Sequence, residues 1–269
     1  MGEPAQQLGL LSGYRLRKNV RRTQSKQGEK SMKRLIAILA LVSLSAIAWA
    51  SDMTPKQEAM DRLQKAGDVL QAIANAPDKG IPDEVLGGAK CIAVVPNLVK
   101  AGFIFGGKHG RGVATCRTTA GGWSAPAFFT IGGGSWGAQI GVEGVDLVMM
   151  IMNDQGMQHM MSNKFQVGGE ASASAGPVGR HASAGTDWKA GSEMLTYSRS
   201  KGLFAGIDLG GSWIGRDADP MNVLYGTNMT ANEVLTGKVK APADAEPFLA
   251  EVRKVEARAQ AKQAKNKED

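Results

Sequence analysis

The sequence predicts an α+β fold: a glycine-rich curved antiparallel sheet or partial barrel, with an N-terminal amphipathic helix before it and C-terminal helices after it. Three observations carry this. Between Ile81 and Gly144, short runs of apolar β-formers alternate with glycine pairs. Before that run, and again beyond Pro242, apolar residues recur at helical spacing. Glycine makes up roughly one residue in seven beyond residue 50, about twice the usual share, which excludes long regular helices from the middle of the chain.

Thr54, Pro55 and Gln57 stand at the N-cap, first-turn and N3 positions of a capping box, and Ala59, Leu63, Ala66, Leu70 and Ile73 follow on one helical face. A second, short helix starts around Pro82 and ends at Gly87-Gly88. Strand-like segments come next, at Cys91 to Val95, Gly102 to Phe105, Gly112 to Arg117, Ser124 to Ile131, Ala138 to Glu143 and Val145 to Met152; their spacing suggests an antiparallel meander. Gly168 to Gly185 has the Ala/Ser/Gly composition of a linker. Further strands are expected at Glu193 to Tyr197 and Leu203 to Gly210. Thr230 with Glu233 repeats the capping-box pattern for a short helix ending near Gly237. Phe248, Leu249, Val252 and Val255 mark one face of a last helix, and from about Ala259 the chain is polar and expected to fray.

The formal net charge of +7 resides entirely in the first 50 residues, where nine Lys or Arg face only Glu3 and Glu29; the remainder carries 23 basic and 23 acidic residues. A balanced domain lacks the main source of non-specific affinity for nucleic acid, so none is expected as a partner. Leu35 to Ala48 is an apolar run followed by Ala48-Trp49-Ala50, a small-residue site suited to cleavage before Ser51. The run is shorter than the about 18 residues that favour a spanning helix, so residues 32–50 read as a secretory signal peptide rather than an uncleaved anchor. Residues 1–31 are a basic extension or an overcalled start. The only cysteines, Cys91 and Cys116, lie in the exported part, and two readings stand open for them: a disulfide, or two buried thiols.

The motifs IAVVP (Ile92 to Pro96), KAGFIFGG (Lys100 to Gly107), GRGV (Gly110 to Val113), GWSAPAF (Gly122 to Phe128), GGSWGAQIG (Gly133 to Gly141), AGPVGR (Ala175 to Arg180) and YSRSKGLFAG (Tyr197 to Gly206) resemble, in order, those of the SYLF domain family. That family includes yeast actin-patch proteins, animal SH3-containing proteins and many exported bacterial proteins. The resemblance places a SYLF-type domain at 51–240 and leaves 241–269 as a helical, then frayed, polar tail. It also argues for small-residue strands around a Gly176-Pro177 turn instead of a linker. Its functional implication is lipid-headgroup binding, with actin binding in the yeast branch. The secretory leader suggests a periplasmic or extracellular place in a bacterial envelope, peripheral on a membrane, where actin is an unexpected partner.

Catalytic and cofactor patterns are missing from the residues. His109, His159 and His181 are widely separated and show no metal-ligand spacing, no GxSxG elbow occurs, and neither Gly132 to Ser135 nor Gly210 to Gly215 carries the GK[ST] ending of a phosphate loop. No enzyme activity, metal or cofactor is expected. Phospholipid or a membrane surface is the expected partner, with two carriers. One is the first helix, through Lys56, Arg62, Leu63, Lys65 and Leu70, whose stripe could equally pack on the protein's own sheet. The other is the sheet, through Lys100, Lys108, Arg111, Trp136, Arg180 and Lys201. The rival reading is a structural or protein-interaction module without a lipid ligand.

Overall fold

The structure is a computed structural model that describes residues 53–76, 80–102, 105–136, 141–178, 191–200, 202–204 and 207–268. The leader segments, Arg180 and Lys201 lie outside these residues, as does the side chain of Trp136. Residues 53 onward form a compact unit with a core of their own, built from both helices and sheet, as a chain segment that folds independently requires.

Helix α1 (Pro55–Ala74) begins as its capping box dictates: Thr54 Oγ1 accepts from the Gln57 amide at 3.3 Å, and the Gln57 side chain accepts from the Thr54 amide at 2.9 Å. Ala59, Leu63, Ala66, Leu70 and Ile73 are all fully buried. The stripe packs on the last helix, α6 (Glu246–Glu268), and on the sheet. Gly67 lets the two helices approach: a Cβ there would stand 3.0 Å from the Pro247 carbonyl oxygen. On α6, Phe248, Leu249, Val252 and Val255 are buried as their spacing predicts. The helix does not stop at Ala259, which is itself buried, but runs to Glu268. The short helix α2 (Asp83–Gly88) docks on α6, where Asp83 receives Arg258 and Lys262 at 3.4 and 3.0 Å.

The sheet contains β1 (Cys91–Gly102), β2 (Phe105–Cys116), β3 (Ala127–Trp136), β4 (Gly141–Ile151), β5 (Lys164–Gln166), β6 (Ala173–Ala175), β7 (Met194–Ser200), β8 (Leu203–Phe204) and β9 (Trp213–Arg216). Their order is β5-β9-β3-β2-β1-β4-β7-β6, with β8 on β7, and the sheet curls into a half-barrel. The six segments of the sequence reading thus merge into four long strands. The expected meander holds for β1-β2-β3 only, because β4 pairs with β1. Continuous apolar runs explain this: residues 91–95 and 147–151 are buried without alternation, so these strands must be central and covered on both faces. The sheet is also mixed, since β6 and β7 run parallel.

Cys91 and Cys116 are register partners on β1 and β2 and are joined in a disulfide, which decides between the two readings. Four elements are not foreshadowed in the sequence pattern: helix α3 (Asp154–Met161), strands β5 and β9, and helix α4 (Ala218–Tyr225). The apolar stripe of α3 is a single short one, Met157, Met160 and Met161; strands β5 and β9 are only three and four residues long, and α4 carries Pro220 in its first turn, where proline is tolerated. Helix α5 (Ala231–Leu235) follows the Thr230/Glu233 capping box as predicted.

Candidate functional site

The two expected lipid carriers fare differently. Leu63 and Leu70 have no exposed surface, so the roughly 1.5–3 kcal/mol that each side chain gains on burial is already spent in the protein's own core. Arg62 is also withdrawn: its guanidinium meets Asp217 Oδ2 at 2.7 Å and lies over the Phe128 ring, 5.4 Å from the centroid, with only 9% of the side chain exposed. These three are corrections to the sequence reading, and their common cause is that α1 lies against the sheet with this stripe inward. Lys56 and Lys65 remain on the surface, paired with Asp244 at 3.0 Å and Asp61 at 2.7 Å.

Strand register sorts the sheet's basic residues onto opposite faces. Directly paired antiparallel residues share a face, and alternate residues along a strand do too. The pairs Val99↔His109, Val99↔Gly144, Ala101↔Val142 and Arg111↔Thr130 therefore place Val99, Ala101, His109, Arg111 and Val142 together. Lys100, paired with Lys108 and Glu143, points to the other face. There Lys108 is buried, donating to the Asp208 carbonyl oxygen at 2.8 Å. Burial pushes its ammonium below the ordinary lysine value; the Asp208 charge opposes that shift and Lys100 adds to it. Arg111 and the pair Lys100 and Lys108 thus cannot form one site, and Lys108 is no surface ligand. Trp123 and Trp213 do not make a common patch either. Trp123 is half-buried, bonded to Glu256 at 2.7 Å and covered by Arg117, whereas Trp213 sits under Lys164 at the β5 side of the sheet.

What the fold does assemble is a groove of about 400 Å³ between the first half of α1 and one face of β1 and β2. Glu58, Asp61, Arg62 and Lys65, spaced as one face of a helix, form one wall; Pro96, Asn97, Val99, His109 and Arg111 line the other. The β1 wall is shaped by a bulge between Val95 and Leu98, where Asn97 takes a left-handed conformation (φ 53°). Gly144 lies opposite, and a Cβ there would overlap Asn97 Oδ1 and force the Asn97 side chain to turn away. Arg111 reaches Glu58 Oε2 at 3.5 Å across the groove. From the groove onward the same face is exposed among the described residues: Val99 is 38% and Val142 78% exposed, a Cβ at Gly134 would meet nothing within 4 Å, and one at Gly107 would meet only the Gly133 carbonyl oxygen, at 3.9 Å. Of the residues expected from sequence, Arg62, Lys65 and Arg111 line the groove, whereas Glu58, Asp61, His109 and the valines are not among those expected. The polar period on α1 was legible; the bulge that sets the opposing wall was not.

One cluster unites a histidine, an acid and a hydroxyl outside this groove. His159 Nε2 lies 3.4 Å from Glu193 Oε2, and Ser172 Oγ lies 3.4 Å from Glu193 Oε1 while accepting from the Glu193 amide at 3.0 Å. The carboxylate stands between the other two, so the imidazole does not touch the hydroxyl it would have to deprotonate. The arrangement instead ties α3 and the start of β7 to Ser172, next to β6. Among the described residues no three His, Cys, Asp or Glu side chains converge as metal ligands.

A family model described as Ysc84, Las17-binding protein actin regulator, matches residues 132–255. Protein YSC84 of Saccharomyces cerevisiae is 37% identical over 194 residues, covering 69% of this chain and 41% of the yeast protein. LAS seventeen-binding protein 3 of the same species is 38% identical over 176 residues, covering 64% and 38%. SH3 domain-containing YSC84-like protein 1 of Rattus norvegicus is 35% identical over 189 residues, covering 68% and 55%. The chain thus spans about half or less of the length of these relatives.

Proposed function

The chain belongs to the SYLF family, and we propose that it is a non-enzymatic module that binds a phospholipid surface through the uncovered sheet face beside the groove. The observation that carries this is the exposure of Val99 and Val142 on neighbouring strands, on the same face as Arg111 and His109. Apolar side chains beside groups that hold phosphate suit an interface where acyl chains meet headgroups. Full burial is worth roughly 1.5–3 kcal/mol per side chain, small enough that headgroup contacts must supply much of the affinity. Helix α1 acts as the wall of the site and does not insert.

We further propose that the protein is exported by the leader and works outside the cytosol. The disulfide within the core supports this, since such bonds persist in oxidising compartments. In that setting actin is not met. A protein partner is the second reading, favoured by the matched family's description and by the name of the relative that binds LAS seventeen. Flotation of residues 53–269 on phospholipid vesicles tests the proposal, with co-sedimentation on actin filaments as its counterpart. Retention on vesicles that Val142→Asp reduces without lowering the melting temperature is the expected result. A folded protein that floats with no vesicle, or that sediments with actin instead, refutes the lipid reading.

A further inference from the structure

We propose that the groove receives a primary-ammonium phosphodiester, the headgroup of an ethanolamine phospholipid; this rests on the membrane-surface reading and deepens it. Its volume of about 400 Å³ suits a small headgroup. Its charges are balanced and mixed. Asp61 lies 2.7 Å from Lys65, and Glu58 lies 3.5 Å from Arg111, while Arg62 is committed to Asp217. An anionic headgroup entering here meets two carboxylates together with two cations, so little net attraction remains. A zwitterion replaces both pairs at once: its phosphate takes Arg111 and Lys65, and its ammonium takes Glu58 and Asp61. All four side chains are at least 39% exposed, and exposed pairs of this kind are weak enough to exchange partners readily.

The nature of the cation follows from the lining. A quaternary ammonium donates no hydrogen bond and is held by aromatic faces, whereas a primary ammonium offers three N–H donors to carboxylates. The groove supplies two carboxylates, and no Phe, Tyr or Trp stands among its described lining residues. Val99 at the mouth meets the glycerol end, leading on to the exposed Val142.

Vesicle flotation of residues 53–269 separates the possibilities, using phosphatidylcholine alone, phosphatidylcholine with phosphatidylethanolamine, and phosphatidylcholine with phosphatidylglycerol. Wild type is expected to be retained about five- to tenfold more on the ethanolamine vesicles than on either other kind, the scale of one or two exposed charge pairs. Glu58→Gln with Asp61→Asn shifts the preference to phosphatidylglycerol, because Lys65 and Arg111 are then unopposed. Arg111→Gln lowers retention on the ethanolamine vesicles. Equal retention on ethanolamine and choline vesicles, or a wild-type preference for phosphatidylglycerol, overturns the inference and leaves the membrane reading intact. No retention on any vesicle overturns the membrane reading; if that protein also fails to bind soluble glycerophosphoethanolamine the headgroup inference falls with it, and if it does bind, only the lipid source is overturned.

Discussion

Replacing Arg62 by methionine keeps the side-chain stem and removes the guanidinium, leaving the Asp217 carboxylate 13% exposed and without its 2.7 Å partner. Asp217 occupies the N-cap position of α4 but makes no side-chain capping bond, so in the native protein its charge is directed at Arg62. Removing one member of a buried pair costs about 3–5 kcal/mol, because the other charge stays desolvated. The contact with the Phe128 ring is lost as well. For a unit of this size each kcal/mol lowers the melting temperature by about 2–4 °C, so a fall of roughly 6–20 °C is expected. Urea denaturation followed by tryptophan fluorescence gives the free energy directly. Combining Arg62→Met with Asp217→Asn removes both charges and should recover part of the loss, with a coupling of about 0.5–3 kcal/mol. The reasoning is refuted if Arg62→Met loses less than about 1 kcal/mol while vesicle retention collapses. That result would make Arg62 a free ligand group instead of a strut.

Two further outcomes follow from the same packing. Lys108 has its folded-state pKa lowered by burial, so between that value and its unfolded value of 10.5 the unfolded chain binds more protons and stability rises with pH; Lys108→Met should flatten this alkaline rise in denaturant midpoints. Reduction of Cys91–Cys116, which closes a separation of 25 residues, should cost roughly 3 kcal/mol and lower the melting temperature by about 6–12 °C, read by scanning with and without dithiothreitol.

Local signals proved dependable where the physics is local. Both capping boxes form as written, because an N-cap hydroxyl and an N3 carboxamide or carboxylate satisfy amides only three residues away. The buried stripes of α1 and α6 were equally plain, since 3.6-residue periodicity is a property of the chain alone. The existence of the long strands was legible from apolar runs, but their extent was not: Pro96-Asn97, which read as a break after Val95, and the glycines that read as a break before Gly112 lie inside twelve-residue strands, held there by cross-strand partners.

The residues themselves thus determine the α+β class, the starts of α1, α2 and α5, the apolar faces of α1 and α6, the charge balance beyond the leader and the absence of a catalytic pattern. Pairing between distant segments decides the rest. That β4 lies beside β1, that Cys91 meets Cys116, that Arg62 turns inward to Asp217, and that Lys108 and Arg111 part company across the sheet all depend on register. A one-residue step moves a side chain to the opposite face, and sequence spacing does not specify which strand a step is counted from. The groove exists only because the Pro96-Asn97 bulge resets that count on β1 under the first turns of α1.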